Sequence, residues 1–406
     1  MNGLRKYIDN IKPNFEPGGK FAMFRSVFEG FESFLFVPNT TSKTGVHIHD
    51  SVDSKRTMTI VLIALMPALL FGMYNVGYQH YLAIGEGGTG ILMMFLFGFL
   101  AVLPKIVISY AVGLGIEFIS AQIRGHEIQE GFLVTGMLIP MIVPIDTPLW
   151  MIAVATAFSV IFAKEIFGGT GMNIFNVALI TRAFLFFAYP SKMSGDSVFI
   201  RTSDTFGIGA GKIVEGFSGA TPLGQVATQT GGDVVLTNTL GHPLSSWDMF
   251  FGLIPGSIGE TSTLAILIGA AILLFAGIAN WRIIVSVFAG GYVMGLIAHT
   301  FSSAVYPGSI LLPEDQLCLG GFAFAAVFMA TDPVTAARTT LGKYIYGFLI
   351  GVMTIIIRLY NNGYPEGAML AVLFMNVFAP LIDYFVVEAN IKNRLKRVKQ
   401  GGMING

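Results

Sequence analysis

Residues 91–123 read ILMMFLFGFLAVLPKIVISYAVGLGIEFISAQI, a run in which only Lys105 and Glu117 are charged residues. A helix that crosses a membrane needs about 20 mostly apolar residues. This run therefore crosses a bilayer with length to spare. The surplus is expected beyond the membrane, with a kink at Pro104, which cannot donate a backbone N–H and crowds the preceding turn. The rest of the chain agrees with this reading. Of 406 residues, 53% are hydrophobic and only 12% are charged, whereas a water-facing surface takes about 25% charged residues. The chain is an integral membrane protein. Its 24 Lys and Arg against 24 Asp and Glu leave no net charge, and so no electrostatic footprint for nucleic acid. One cysteine, Cys318, excludes an intramolecular disulfide, a thiolate-held iron–sulfur cluster and a cysteine zinc site within the chain.

Working outward from that run, the sequence yields about ten transmembrane helices, at 57–75, 91–123, 131–144, 148–164, 177–189, 263–279, 281–299, 317–331, 344–360 and 367–387. The third, fifth and eighth are short. Half-helices or broken helices are tolerated only inside a protein bundle. The bias of Lys and Arg sets the orientation. With the N-terminus cytoplasmic, 18 of them fall in cytoplasmic segments and three, Lys192, Arg201 and Lys212, in one long outer loop. Both termini are therefore expected inside. The chain divides into a cytoplasmic tail (1–56), a first membrane half (57–189), a periplasmic loop (190–262), a second membrane half (263–387) and a basic cytoplasmic tail (388–406). The first tail has no apolar signal-peptide core. Its Phe28, Phe31, Phe34, Leu35 and Phe36 outline a short amphipathic helix around 26–37. Such a helix can pack on the chain's own helix ends, on the membrane surface or on a partner protein.

Five is odd, so two halves of five spans have opposite topology. Asn173-Ile174-Phe175-Asn176-Val177-Ala178-Leu179 in the fifth span is weakly similar to Asn376-Val377-Phe378-Ala379-Pro380-Leu381 in the tenth. The third span, from Gly131-Phe132 to Ile145-Asp146, is weakly similar to the eighth, from Gly321-Phe322 to Thr331-Asp332-Pro333. Either these are chance likenesses between apolar helices, or the halves form an inverted repeat, a transporter-like plan with sites at the repeat interface.

Several stretches could carry chemistry. The outer loop holds Glu215-Gly216-Phe217-Ser218-Gly219-Ala220-Thr221-Pro222, which is either an ordinary turn or a threonine hydroxyl displayed between small residues to a modifying enzyme. Phe167-Gly168-Gly169-Thr170-Gly171-Met172-Asn173-Ile174-Phe175-Asn176 joins a helix end to the fifth span. Its glycines allow close backbone approach to a ligand. Asn173 and Asn176, three apart, are expected on one helix face, where they either cap the helix or meet the polar edge of a flavin-like heterocycle. Ser257 and Glu260 have the spacing of a capping box before the sixth span, where they either cap that helix or contact an anion. Lys105, Glu117, Arg182, Arg358 and Asp383 lie inside spans, where charge is expensive. Glu117 and Asp383 have no long stem to reach water, so they either handle a cation or a proton, or sit in buried ion pairs. His47 and His49 lack a third ligand nearby and read as solvated.

Taken together, these segments resemble the B subunit of the bacterial Na+-translocating NADH:quinone oxidoreductase. The resemblance runs over nearly the whole chain. It is carried by Phe15-Glu16-Pro17-Gly18-Gly19-Lys20, Asp50-Ser51-Val52-Asp53-Ser54-Lys55-Arg56, Lys164-Glu165-Ile166-Phe167-Gly168-Gly169-Thr170-Gly171, Arg182-Ala183-Phe184-Leu185-Phe186-Phe187-Ala188-Tyr189-Pro190, Ser218-Gly219-Ala220-Thr221, Met329-Ala330-Thr331-Asp332-Pro333 and Tyr364-Pro365-Glu366-Gly367. The D subunit of the Rnf ferredoxin:NAD complex shares the membrane core and the Ser-Gly-Ala-Thr site, but looks as if it lacks the long cytoplasmic tail. The resemblance implies a covalent FMN on Thr221 through a phosphoester, with Ser218, Gly219 and Ala220 as cofactor-binding residues beside it, installed on the outer face by a separate flavin transferase. Glu215 stands where the motif usually has Asp. It also implies a non-covalent riboflavin at Asn173 and Asn176, with Val177 where a proline is usual. A quinone region is implied at Gly113, beside Leu114 where a second glycine is usual, and Na+ uptake at Glu117 and Asp383. On this reading the chain is one subunit of a multi-subunit complex in the bacterial inner membrane, passing electrons from NADH through its flavins to ubiquinone. The rivals are an Rnf-type subunit and a passive inverted-repeat channel or transporter.

Overall fold

The computed structural model describes residues 2–16, 18–21, 28, 32, 45, 54–124, 131–195, 198–201, 219–229, 235–303, 305–361 and 363–404. The amphipathic helix expected around 26–37, the His47–His49 pair, and Glu215 and Ser218 of the outer-loop motif lie outside the described residues or almost wholly so. Among the described residues the fold is all-helical; extended pairing is confined to the isolated bridges Thr237–Pro243 and Ser303–Tyr306.

The helices are α1 (Asn2–Ile11), α2 (Ser54–Ala83), α3 (Ile91–Arg124), α4 (Gly131–Met141), α5 (Leu149–Ser159), α6 (Val177–Ala188), α7 (Pro222–Thr228), α8 (Ser246–Phe251), α9 (Thr263–Phe275), α10 (Trp281–Thr300), α11 (Pro313–Cys318), α12 (Phe322–Phe324), α13 (Thr340–Tyr360) and α14 (Ala368–Ile404). Two of them run on into wider π-helical turns, α5 through Val160–Glu165 and α12 through Ala325–Met329. Five helices, α2, α3, α10, α13 and α14, are long and apolar enough to cross a membrane, and α4, α6 and α9 are shorter apolar helices. Helix α3 is one continuous element of 34 residues with Pro104 inside it. At 1.5 Å per residue it is roughly 51 Å long, well beyond the hydrocarbon thickness of about 30 Å. Helix α14 likewise continues past 387 to Ile404, so the residues expected as a separate basic tail extend the last helix. Val107, Ile119 and Ile123 of α3 stand exposed, as side chains facing lipid do.

The short elements explain three of the charges buried in the bundle. Where α4 stops at Met141, the chain runs non-helically to Pro148 while still inside the protein. Carbonyls freed there have no water to bond and need donors. Gly259 N–H donates to Met141 at 2.7 Å, Arg182 donates to the Ile142 carbonyl and Lys105 to the Thr147 carbonyl. At the break between α11 and α12, Arg358 does the same. It donates to the carbonyls of Gln316, Leu319 (2.6 Å) and Glu366 (2.9 Å). Lys105 and Arg358, singled out in the sequence as intramembrane charges, thus terminate broken helices. The two short helices run in opposite senses. Helix α4 begins beside Thr170 and ends against Gly259, whereas α12 begins beside Glu260 and its π turn leads to Asp332, bonded to Asn176.

Candidate functional site

Helix ends gather at two faces of the bundle, and each face has a cleft. The tail-side cleft, of about 140 Å3, lies where α2 begins; Thr57, Gly131, Lys164, Asn173, Asn176 and Asp332 are among its lining residues. The loop-side cleft, of about 100 Å3, lies beneath the long connection; Arg182, Phe186, Phe199, Thr221, Tyr364 and Glu366 help to line it.

On the tail side, the segment after α5 turns back through Gly168, Gly169 and Gly171, all at positive φ (117°, 97° and 86°), a region that side chains with a Cβ seldom adopt. The turn places Asn176 as the N-cap of α6. Its Oδ1 accepts from Leu179 N–H at 3.2 Å and its Nδ2 donates to Asp332 Oδ2 at 3.2 Å. Asn173 precedes the helix, and its Nδ2 donates to the Phe175 carbonyl at 2.9 Å. The two asparagines therefore meet at one cleft, but not as neighbours on a helix face: Asn176 is itself extended (φ −65°, ψ 123°) as the N-cap, so the helix starts at Val177. A carboxamide has two donor hydrogens and two acceptor lone pairs. Asn176 spends one of each inside the protein, which leaves one of each for a ligand. Asp332 is held by Val334 N–H (3.0 Å) and Thr335 Oγ1 (3.2 Å). Burial pushes its carboxyl above the ordinary range, and the donors from Val334, Thr335 and Asn176 oppose that shift.

Behind this cleft, Lys164 of the π turn forms an ion pair with Glu117 of α3, both buried. The same helix carries Gly113, packed so closely under the Phe132 ring that any side chain there would collide with it. Asp383 lies apart from both clefts. It accepts from Arg338 N–H (2.6 Å), Thr339 N–H (2.9 Å) and Thr339 Oγ1 (2.5 Å) at the start of α13. Of the two span carboxylates, Glu117 is ion-paired and Asp383 anchors a helix start.

On the loop side, Thr221 is the N-cap of α7, with Pro222 at the first helical position; its Oγ1 accepts from Gly224 N–H at 3.1 Å. Gln225 braces this turn. It donates to the carbonyls of Ala220 (3.2 Å) and Thr237 (2.8 Å) and accepts from Thr237 N–H (2.9 Å). Ala220 also lines the cleft. Gly219 precedes it in the turn, and Ser218 falls outside the described residues. Beneath them, the fully buried Arg182 pairs with Glu260 at 2.8 Å and with Glu366. Its Nε is buried and has no hydrogen-bond partner among the described residues. Phe186 and Tyr364 meet edge to face, 4.4 Å between centroids, on the wall of the cleft. Glu260 does not complete a capping box: Ser262 caps α9, accepting from Ala265 N–H at 3.2 Å, and Glu260 is drawn to Arg182. Glu366 and Asp332 have no role in the sequence reading, and Glu260 has only that of a capping-box partner. Their signal was indirect: a buried arginine needs counter-charge, and Asp332 and Glu366 stand in two of the segments that carry the resemblance. Among the described residues, no three His, Cys, Asp or Glu side chains group as a metal site.

An all-helical membrane bundle with a cleft at each face defines the class, and comparison with known proteins defines the family. The profile of the NQR2, RnfD, RnfE family matches residues 41–392, and the chain belongs to that family. It is 44% identical over 415 residues to a protein from Chromohalobacter salexigens named as the B subunit of Na+-translocating NADH-quinone reductase, covering 97% of each chain. Proteins of the same name from Pseudomonas aeruginosa and Klebsiella pneumoniae are 44% and 43% identical, each over 97% of this chain and 99% and 100% of theirs.

Proposed function

We propose that this chain is the flavin-carrying electron-transfer B subunit of a Na+-translocating NADH:quinone oxidoreductase of the bacterial inner membrane. Electrons originating from NADH arrive through partner subunits and leave to ubiquinone. The near full-length similarity to relatives of that name carries this reading. The long N-terminal segment ahead of α2 favours it over an Rnf-type D subunit. Ten spans in two inverted halves, both termini cytoplasmic and residues 190–262 periplasmic complete the proposed topology.

Bound flavin supplies one- and two-electron transfer; the protein supplies its sites. Thr221 offers the hydroxyl for the phosphoester to FMN on the periplasmic face, where a flavin transferase installs it, and Ser218, Gly219 and Ala220 are assigned to the same cofactor site. The fit is supported by the cleft beside it, with aromatic walls from Phe186, Phe199 and Tyr364 and with Arg182 among its lining residues. Asn173 and Asn176 are assigned to non-covalent riboflavin, supported by the donor and the acceptor that Asn176 leaves unspent. Gly113 is assigned to the quinone region, since it keeps the α3–α4 contact tight next to the same cleft. Glu117 and Asp383 are assigned to Na+ uptake. Na+ is a hard cation that takes oxygen ligands, and a buried carboxylate supplies oxygen together with neutralising charge. A carboxylate has about four lone-pair positions; Asp383 uses three in the hydrogen bonds above and keeps one.

Peptide mass analysis of the purified protein tests the reading. The segment containing Thr221 is expected to carry an FMN mass that Thr221→Val removes. An unmodified wild-type Thr221 in a complex that reduces quinone would reject the assignment. His242, exposed on the long connection, tests the topology. His242→Cys is expected to react with an impermeant thiol reagent from the periplasm, and labelling only in inverted vesicles would reverse the orientation.

A further inference from the structure

Lys164 has no part in flavin attachment, yet it is a buried, ion-paired cation on the tail side. The π turn Val160–Glu165 widens the helix where it sits, and such turns are rare and concentrate at functional sites. Lys164 and Glu117 are 4% and 5% exposed, so the ammonium and the carboxylate are each the other's main compensation for burial. The remaining charges close by are already engaged. Glu165 accepts from Ser120 Oγ at 2.5 Å and pairs with Arg124 at 3.6 Å. The Phe132 ring lies 5.9 Å from the Lys164 ammonium. Lys164 lines the tail-side cleft, as Asp332 does, whereas Glu117 is not part of that lining. An ion entering from the cleft thus meets the lysine before the glutamate behind it.

We propose that Lys164 is a tethered counter-cation that holds Glu117 between Na+ loads, so that Na+ reaches this carboxylate by displacing the ammonium into the cleft. The exchange conserves the pairing: one monovalent cation replaces another on Glu117, and the released ammonium faces a cleft that already offers the Asp332 carboxylate. No covalent bond changes. Glu117 is never left as a lone buried charge, the state that a low-dielectric interior penalises most. The lysine also closes the route to any cation that binds too weakly to displace it. This inference rests on the assignment of Glu117 to Na+ uptake.

The test is Na+ titration of the thermal unfolding of the detergent-solubilised complex, at constant ionic strength with choline as the replacing cation and with quinone reduction measured in parallel. Lys164→Met removes the competitor but keeps an unbranched stem. Its half-saturating Na+ is expected to fall about ten-fold or more, because the unpaired carboxylate now recruits Na+. Lys164→Arg strengthens the competitor through its forked donors and is expected to raise half-saturation several-fold. Opposite shifts in the two variants distinguish competition from a structural role, which moves stability without moving half-saturation. An unchanged or raised half-saturation in Lys164→Met overturns the proposal. If Lys164→Met does not assemble, an unchanged value in Lys164→Arg overturns it. Glu117→Gln separates the two layers. If it titrates like the wild type, the Na+ role of Glu117 itself falls. If it shifts while neither lysine variant does, only the lysine exchange falls.

Discussion

The two clefts are built by opposite means. The loop-side cleft is underlain by ion pairs: Arg182 sits between Glu260 and Glu366, from loops 78 and 184 residues away in sequence, with Arg358 bonded to the Glu366 carbonyl. Two cations and two carboxylates, all largely buried, balance to zero charge. The tail-side cleft is held by a local turn and a cap, three glycines and Asn176, within ten residues of one another. The first depends on long-range charge, whereas the second is shaped by local backbone geometry, with the Asn176–Asp332 bond and the Lys164–Glu117 pair added to it. The loop-side floor should therefore fail as a unit when a single charge is removed, whereas the tail-side cleft should lose its ligand before it loses its shape.

The largest expected effect follows from breaking the loop-side floor. Arg182→Met strands Glu260 and Glu366 as buried charges and leaves the Ile142 carbonyl unmet. Removing one partner of such a cluster costs about 3–5 kcal/mol, so the protein is expected to unfold at much lower temperature or to fail to assemble. Thermal scans by size-exclusion fluorescence check this. A melting temperature within a degree or two of the wild type would show that the cluster does not hold the fold.

On the tail side, Asn176→Leu should leave the bundle folded and lower the riboflavin content. It removes the α6 cap and a ligand-facing carboxamide, each lost bond to a buried group costing roughly 1–3 kcal/mol. Asn173→Leu should act in the same direction but less, since Asn173 caps no helix. Flavin extraction and chromatography on both variants measure the ranking, and equal wild-type content in both would remove this cleft as a riboflavin site. The smallest effect is expected at Asp383. Asp383→Ala takes three hydrogen bonds from the start of α13, worth about 1 kcal/mol in all by analogy with N-cap losses, with flavin content unchanged and a modest rise in the Na+ needed for quinone reduction. A Na+ dependence identical to wild type would leave Asp383 as an anchor of α13 alone.

The same contrast explains what was legible in the sequence. The long helices were legible because hydrocarbon thickness fixes a length that a run such as 91–123 visibly meets. Their ends were less so: α14 continues through polar residues to Ile404, where helix propensity rather than hydropathy decides. Asn173 and Asn176 could be read as a pair from the glycine-rich turn, but helical spacing misplaced Asn173, because Asn176 takes the extended N-cap conformation and the helix starts only after it. Ser257 and Glu260 looked like a capping box until tertiary charge overrode local pattern, and Ser262 took the cap. The Arg182–Glu260–Glu366 cluster was visible only as an isolated arginine in an apolar span, since its partners are brought together by the fold and not by spacing.

The central claim is that one flavin belongs to each face, and double flavin analysis tests it most directly. Thr221→Val and Asn176→Leu variants are purified in parallel, with covalent flavin read as in-gel fluorescence after denaturation and non-covalent flavin as the acid-extractable fraction. The account predicts that Thr221→Val loses only the covalent signal and Asn176→Leu only the extractable riboflavin. Covalent fluorescence persisting in Thr221→Val, or both signals lost together in either folded variant, would contradict it.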